Sequence, residues 1–211
     1  MKNILSGQSF NGKMSEEELV VRKKEAEEHY GNFLLALGYD LDNDPNMRGS
    51  AFRVVKMYTQ ETAKGTYLPS PKLTVFPNEG DQKYTGVVFQ GGIEIKSLCS
   101  HHLMPFIGKC HLAYIPKDKV LGLSKLNRLV DWFARRPQLQ EHLTTQIHSF
   151  LSELVETDDV AVYIEASHTC VALRGVEQAS TMRTSKLTGS FMTEDSCRSE
   201  FYHMVNREEK I

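Results

Sequence analysis

TGVVFQGGIEIKSLCSHHLMPFIGKCHLAYIP, residues 85–116, decides the fold. Residues 85–99 read as one strand, interrupted at Gly91-Gly92 by a bulge or a bend. Residues 106–116 read as a second strand. The two pair as an antiparallel hairpin across HHLMP, residues 101–105. That turn carries two adjacent histidines next to Cys99, so the element that sets the sheet also carries candidate chemistry.

Outward from the hairpin, helix and strand signals alternate in blocks. Toward the N-terminus, residues 66–84 read as a proline-containing loop, preceded by a helix from Ser50 to Lys64 that Gly65 ends. GYDLDNDPN is a turn-rich break. A longer helix runs from a capping box, Ser15 with Glu18, to Leu37, its charged residues forming a solvated face. Residues 1–14 are polar and read as frayed.

Toward the C-terminus, Ser124 is the expected cap of a helix with Leu126, Leu129, Val130 and Phe133 on one face. Arg136-Pro137 breaks it. A further helix is expected from Pro137, with Leu139, Leu143, Ile147, Phe150, Leu151 and Leu154 as its apolar stripe. DDVAVYIEASHTC reads as a third strand whose alternation places Val162, Ile164, Ala166, His168 and Cys170 on one side. A fourth strand is expected within residues 180–193. The order implies an α+β fold with a largely antiparallel sheet, divided as an N-terminal helical segment, 1–65, and a main domain, 66–211.

Composition adds exclusions. The 211 residues are 40% apolar and 25% charged, with a formal charge of −2, an ordinary globular balance. Nothing in bulk favours nucleic acid or an anionic membrane, so any anion site must be built locally. Residues 1–14 show no signal-like pattern, and no stretch approaches the roughly 20 apolar residues of a membrane span. A cytoplasmic protein is expected. Its four cysteines are scattered and read as ligands or buried thiols rather than disulfides.

Cys99 and His102 have the spacing of zinc ligands, with His101 between them. Alone, the pair fits a buried thiol beside surface histidines equally well. A structural zinc needs a second close pair, and none is present. The remaining candidate is Cys170, next to His168. Three ligands with an open fourth position describe a catalytic zinc. Arg53 with Lys56, and Lys125 with Arg128, are cation pairs on one helical turn, and Arg174 follows Cys170. Each pair alone is an ordinary solvated face; together they could form a phosphate site. Gln140-Glu141 could place a carboxylate against a guanine-type N–H edge, or simply face solvent.

Four runs occur in order: CSHHLMPFIGK, AYIPKDKVLGLSKLNR, RPQLQEHLTTQI and SHTCVALRG. Together they resemble the GTP cyclohydrolase I family over residues 50–205. The resemblance implies the tunnelling fold, an antiparallel four-stranded sheet backed by two helices. It implies a homodecamer of two pentamers with active sites at subunit interfaces. It also implies conversion of GTP and water to 7,8-dihydroneopterin triphosphate and formate, as the first step of a folate, pterin or 7-deazaguanine pathway. Carried over by motif, Cys99, His102 and Cys170 would hold Zn²⁺. His101 and His168 would transfer protons, and Glu141 with Gln140 would read guanine. Ser124, Lys125, Arg128 and Arg174, joined by Arg53 and Lys56, would hold ribose and triphosphate.

Two positions depart from the family pattern. Ser100 stands where many members have Glu, and Ser50-Ala51 where many have Thr-Pro. A different purine or pterin enzyme on the same fold, and a zinc-stabilised module that only senses GTP, are the competing readings. Formate release and turnover distinguish them.

Overall fold

The hairpin forms with its glycine interruption where the sequence places it. In the computed structural model, which describes residues 14–208, Val88 pairs with Tyr114 at one end and Leu98 with Pro105 at the other. The register shifts between Gln90 and Ile93, and Gly92 there takes a φ of 67°, a conformation that glycine adopts without a Cβ penalty. Residues 1–13 lie outside the described residues.

The elements run in order as α1 (Glu16–Ala36), α2 (Ser50–Lys56), β1 (Val75–Pro77), β2 (Val88–Cys99), β3 (Pro105–Tyr114), β4 (Lys119–Leu121), α3 (Leu123–Ala134), β5 (Pro137–Gln138), α4 (Gln140–Val155), β6 (Val160–His168), α5 (Thr169–Ala172), β7 (Thr181–Leu187), α6 (Ser190–Thr193) and α7 (Asp195–Glu208). The main sheet has the order β5-β2-β3-β6-β7. Its long strands are antiparallel, and β5 joins the edge in parallel, pairing Cys99 with Gln138. A two-stranded sheet, β1-β4, lies apart.

One face of the main sheet holds the larger core. Ile95, Phe106, Leu112 and Ile164 meet Leu129 and Phe133 of α3 and Leu143, Ile147 and Leu151 of α4, all buried. Burying each such side chain contributes about 1.5–3 kcal/mol. The opposite face carries a smaller cluster, Ala113 and Ala161 under Phe191, Phe201 and Val205. Part of that cover is α7, an element the sequence reading left out.

Other expectations shift locally. α1 has its capping box, with Ser15 N–H donating to Glu18 at 2.8 Å and Glu18 N–H to Ser15 Oγ at 3.1 Å. The second helix is α-helical only to Lys56, then widens into a π-helical stretch, Met57–Thr62, and tightens into a 3₁₀ turn, Lys64–Thr66. Ser124 lies inside α3, and Gly122 occupies the cap position without a side-chain bond. Pro137 starts no helix: it begins β5, and α4 starts at Gln140. Cys170 leaves the strand and sits on α5. The expected four-stranded sheet therefore has five strands, the fifth made by the residues first read as a helix start.

The short edge strand is held by a buried cation. Arg136 is fully buried, its guanidinium 3.9 Å above the Trp132 ring and its Nε donating to Gly65 O at 3.1 Å. Burial lowers its pKa to about 10, so it stays charged at neutral pH. Its carbonyl accepts from Ser97 Oγ at 3.0 Å, tying β5 to the strand that ends in Cys99.

Candidate active site

Two ladders share β3, and they bring the distant cysteines together. Leu98 pairs with Pro105, and Phe106 pairs with His168 on the other side. The end of β2 and the end of β6 therefore lie on either side of the start of β3. Thr169 Oγ1 donates to Pro105 O at 2.6 Å and starts α5 at that point, which turns Cys170 back toward Cys99. The turn between the strands is closed by Cys99 N–H to Met104 O and Leu103 N–H to Cys99 O, both 2.8 Å. Ser100 N–H donates to Gln138 O at 3.0 Å. Leu103 adopts a φ of 55°, which costs a non-glycine residue energy, and Tyr58 Oη donates to its carbonyl at 3.3 Å.

The outcome is a compact donor set. Atoms of Cys99, His102 and Cys170 all lie within 4.8 Å of one another, the thiols buried and the imidazole exposed. Two sulfurs and one ring nitrogen with no carboxylate form a donor set that suits zinc. Arg174 Nη1 donates to His102 Nε2 at 2.8 Å. A guanidinium can only donate, so that nitrogen carries a lone pair. Burial, then the neighbouring Cys99 thiol, raises the Cys170 pKa, which Arg174 partly opposes.

Beside the cluster opens a cavity of about 290 Å³, lined by Cys99, His101, Gln140, Glu141, His168 and Cys170 among others. His168 is held firmly in its wall. Its ring stacks on Phe106 at 4.5 Å and 13°, and its Nε2 meets Gln140 Oε1 at 2.8 Å. Burial holds the His168 pKa below its ordinary value, while the Glu141 carboxylate pulls it upward.

A model of the family described as GTP cyclohydrolase I matches residues 26–206. The chain belongs to the GTP cyclohydrolase I family. Among its relatives, GTP cyclohydrolase 1 of Photobacterium profundum is 43% identical over 186 residues, covering 87% of this chain and 84% of its own. That of Coxiella burnetii (strain Dugway 5J108-111) is 44% identical over 184 residues, covering 85% of this chain and 97% of its own. The match begins well before residue 50, so the second half of α1 falls within the family region.

The cyclohydrolase motifs divide into those that converge in this chain and those that do not. Cys99, His101, His102, Glu141, His168, Cys170 and Arg174 gather at the end of the hairpin. Gln140 is there but spent: only 1% exposed, it uses both ends of its amide inside the protein. Its amide is thus not free to bond a ligand, whereas the neighbouring Glu141 is exposed. Ser124, Lys125, Arg128, Arg53 and Lys56 do not line this cavity. Arg128 borders a separate hollow with Lys64, Asp131 and Trp132. Arg53 donates to the carbonyls of Arg48 and Asn46 and to Ser50 Oγ.

Sequence reasoning missed Gln138, Arg136 and Tyr58 as supports of this site. The signal for the first two was Pro137: a residue before proline is pushed out of helical backbone, which favours an extended segment at Arg136 over a helix start. Tyr58 had no comparable signal, because its role depends on the π-helical turn.

Proposed function

We propose that this cavity converts GTP and water to 7,8-dihydroneopterin triphosphate and formate, with zinc held by Cys99, His102 and Cys170. As a member of its family the chain is an enzyme, and the reaction opens pterin and folate synthesis. The observation that carries the reading is the mutual approach of the three donor atoms beside a cavity lined by His101, His168 and Glu141.

Zinc, when bound, supplies a Lewis acid that makes water nucleophilic near neutral pH. The chain's own residues do the rest. Glu141, exposed at the cavity wall, accepts hydrogen bonds from the guanine N–H and NH₂ edge. His101 and His168 move protons during attack at C8, ring opening and the later rearrangement of the ribose. His168 is suited to this because burial favours its neutral form at physiological pH. Arg174, already within reach of His102, neutralises part of the triphosphate charge.

Ser124, Lys125, Arg128, Arg53 and Lys56 complete the triphosphate site from a neighbouring copy, which requires the decamer of two pentamers. The tunnelling fold fits this assembly, since the sheet ends in exposed edge strand β7 and is backed by α3 and α4. Gly65 N–H donates to Arg135 O at 2.8 Å and Gly65 O accepts from Arg136, which ties the end of the helical segment to the main domain. Among the described residues no helix is long and apolar enough to cross a membrane.

The test is a metal assay combined with fluorescence of oxidised neopterin after incubation with GTP. Stoichiometric zinc with neopterin is expected; saturable GTP binding without turnover would replace the reading with that of a sensor.

A further inference from the structure

The hydrogen bonds around Gln140 determine which nitrogen of His168 faces the chemistry. Thr144 Oγ1 donates to Gln140 O at 2.8 Å. Its single proton is thereby used, so in the 2.7 Å contact between Thr144 Oγ1 and Thr184 Oγ1 it is Thr184 that donates. Thr184 Oγ1, 3.1 Å from the Gln140 amide, must then accept. The same end of the amide lies 3.2 Å from Ile164 O and 3.1 Å from Met182 O, which can only accept. Three acceptors surround that end, so it is the NH₂ group, and reversing the amide would set oxygen against two buried carbonyls. The other end is therefore oxygen, and it faces His168 Nε2 at 2.8 Å. Nε2 must carry the proton. That leaves the lone pair of the ring on Nδ1, and His168 is one of the residues that line the cavity.

We propose that Gln140 is a positioning residue that locks His168 in its Nε2–H tautomer, so that Nδ1 serves the reaction first as a proton acceptor. This rests on the cyclohydrolase reading above. In the step it governs, an O–H or N–H bond of the substrate or its attacking water breaks, and an Nδ1–H bond forms. The substrate side keeps the electron pair, and the ring becomes an imidazolium. The Nε2–H bond to Gln140 Oε1 is then charge-assisted and strengthens as the charge develops. The same nitrogen returns the proton later. Phe106, stacked on the ring, prevents the imidazole from flipping to present Nε2 instead. Gln140 thus acts through His168 rather than on guanine.

Solid-state NMR of the zinc-loaded protein labelled with ¹⁵N-histidine reads the tautomer directly. A ring signal with protonated Nε2 and bare Nδ1, absent from His168→Gln, is expected. A proton on Nδ1 overturns the proposal, whatever the variants do. In kinetics, Gln140→Met lowers kcat about 10- to 100-fold, the usual loss when a partner that orients a functional imidazole is removed. The KM for GTP and the zinc content stay unchanged. Gln140→Glu, which keeps an acceptor oxygen at Nε2, recovers part of kcat. An undiminished kcat in Gln140→Met alongside an inactive His168→Gln would overturn the positioning role while leaving the cyclohydrolase reading intact. Absence of formate release from the unsubstituted protein would overturn that reading, and the NMR result would still stand or fall alone.

Discussion

The hairpin end and the starts of α2 and α3 carry equally clear motifs, yet only the first closes into a site within one chain. At the hairpin end Cys99 and His168 lie on strands, and His101, Gln140 and Cys170 lie within two residues of one. Ladder pairing fixes such positions to a single register: Cys99 beside Gln138, Phe106 beside His168. A slip of one residue would turn Cys110 and Ile164 out of the core, so the core itself guards the register of the site. Lys125 and Arg128 lie instead on the outward side of α3, whose Leu126, Leu129 and Val130 face the core. Core packing orients the helix but leaves those cations without a partner site. Residues placed by backbone ladders meet inside this chain; the cations on the helix faces do not join them there.

The most severe way to break this contrast is at the metal. Cys170→Ser is expected to abolish zinc binding and turnover together, read by elemental analysis and formate release. Full activity with stoichiometric zinc would remove Cys170 from the ligand set. Glu141→Ala should cost up to ~10⁴-fold in kcat/KM for GTP, as for a site that pairs a polar edge, with zinc content unchanged. Equal loss of both would contradict its role.

The contrast sharpens with Arg128→Ala, expected to raise the KM for GTP about 10- to 100-fold, the cost of one charge-assisted contact. If the cations serve a neighbour's cavity, subunits carrying Cys170→Ser and subunits carrying Arg128→Ala, co-refolded, regain sites with both parts intact. Activity above that of either variant alone checks this. No gain would return the cations to their own chain.

The smallest effect lies away from both regions. His148 is buried on α4, and burial, with the Lys186 ammonium nearby, lowers its pKa to about 4. The unfolded chain, with histidine near 6.5, binds more protons in between, so this contribution to stability is complete above about pH 6.5 and declines as pH falls toward 4. The loss is about 2 kcal/mol at pH 5. Denaturant midpoints for the unsubstituted protein and His148→Gln should converge on acidification. Parallel curves would assign the acid sensitivity to other groups.

Much of this site was legible as residue types and little as roles. CSHHLMP and SHTC marked the three residues whose donor atoms converge, because thiol and imidazole at short spacing are chemically narrow choices. Gln140 and Glu141 both border the cavity, but the sequence does not show that one is buried and the other exposed. Adjacent residues at the start of α4 point in different directions, one into the protein between β6 and β7, the other toward solvent. Pro137 was read as a helix start because proline suits a first turn, yet the parallel pairing of Leu98 with Pro137 is a tertiary contact that local propensity does not encode. α7 was passed over because its apolar contribution to the core is two residues, Phe201 and Val205, too few to make a periodic stripe.

The sequence by itself determined the hairpin, its glycine bulge, the two core helices and the chemical identity of the donors, since these follow from local pattern and side-chain chemistry. Only the tertiary structure decided that residue 170 meets residues 99 and 102, that Gln140 turns inward onto His168, and that Arg128 stays apart. Each depends on which strand lies beside which, and that is settled by the burial of a shared core rather than by any one segment.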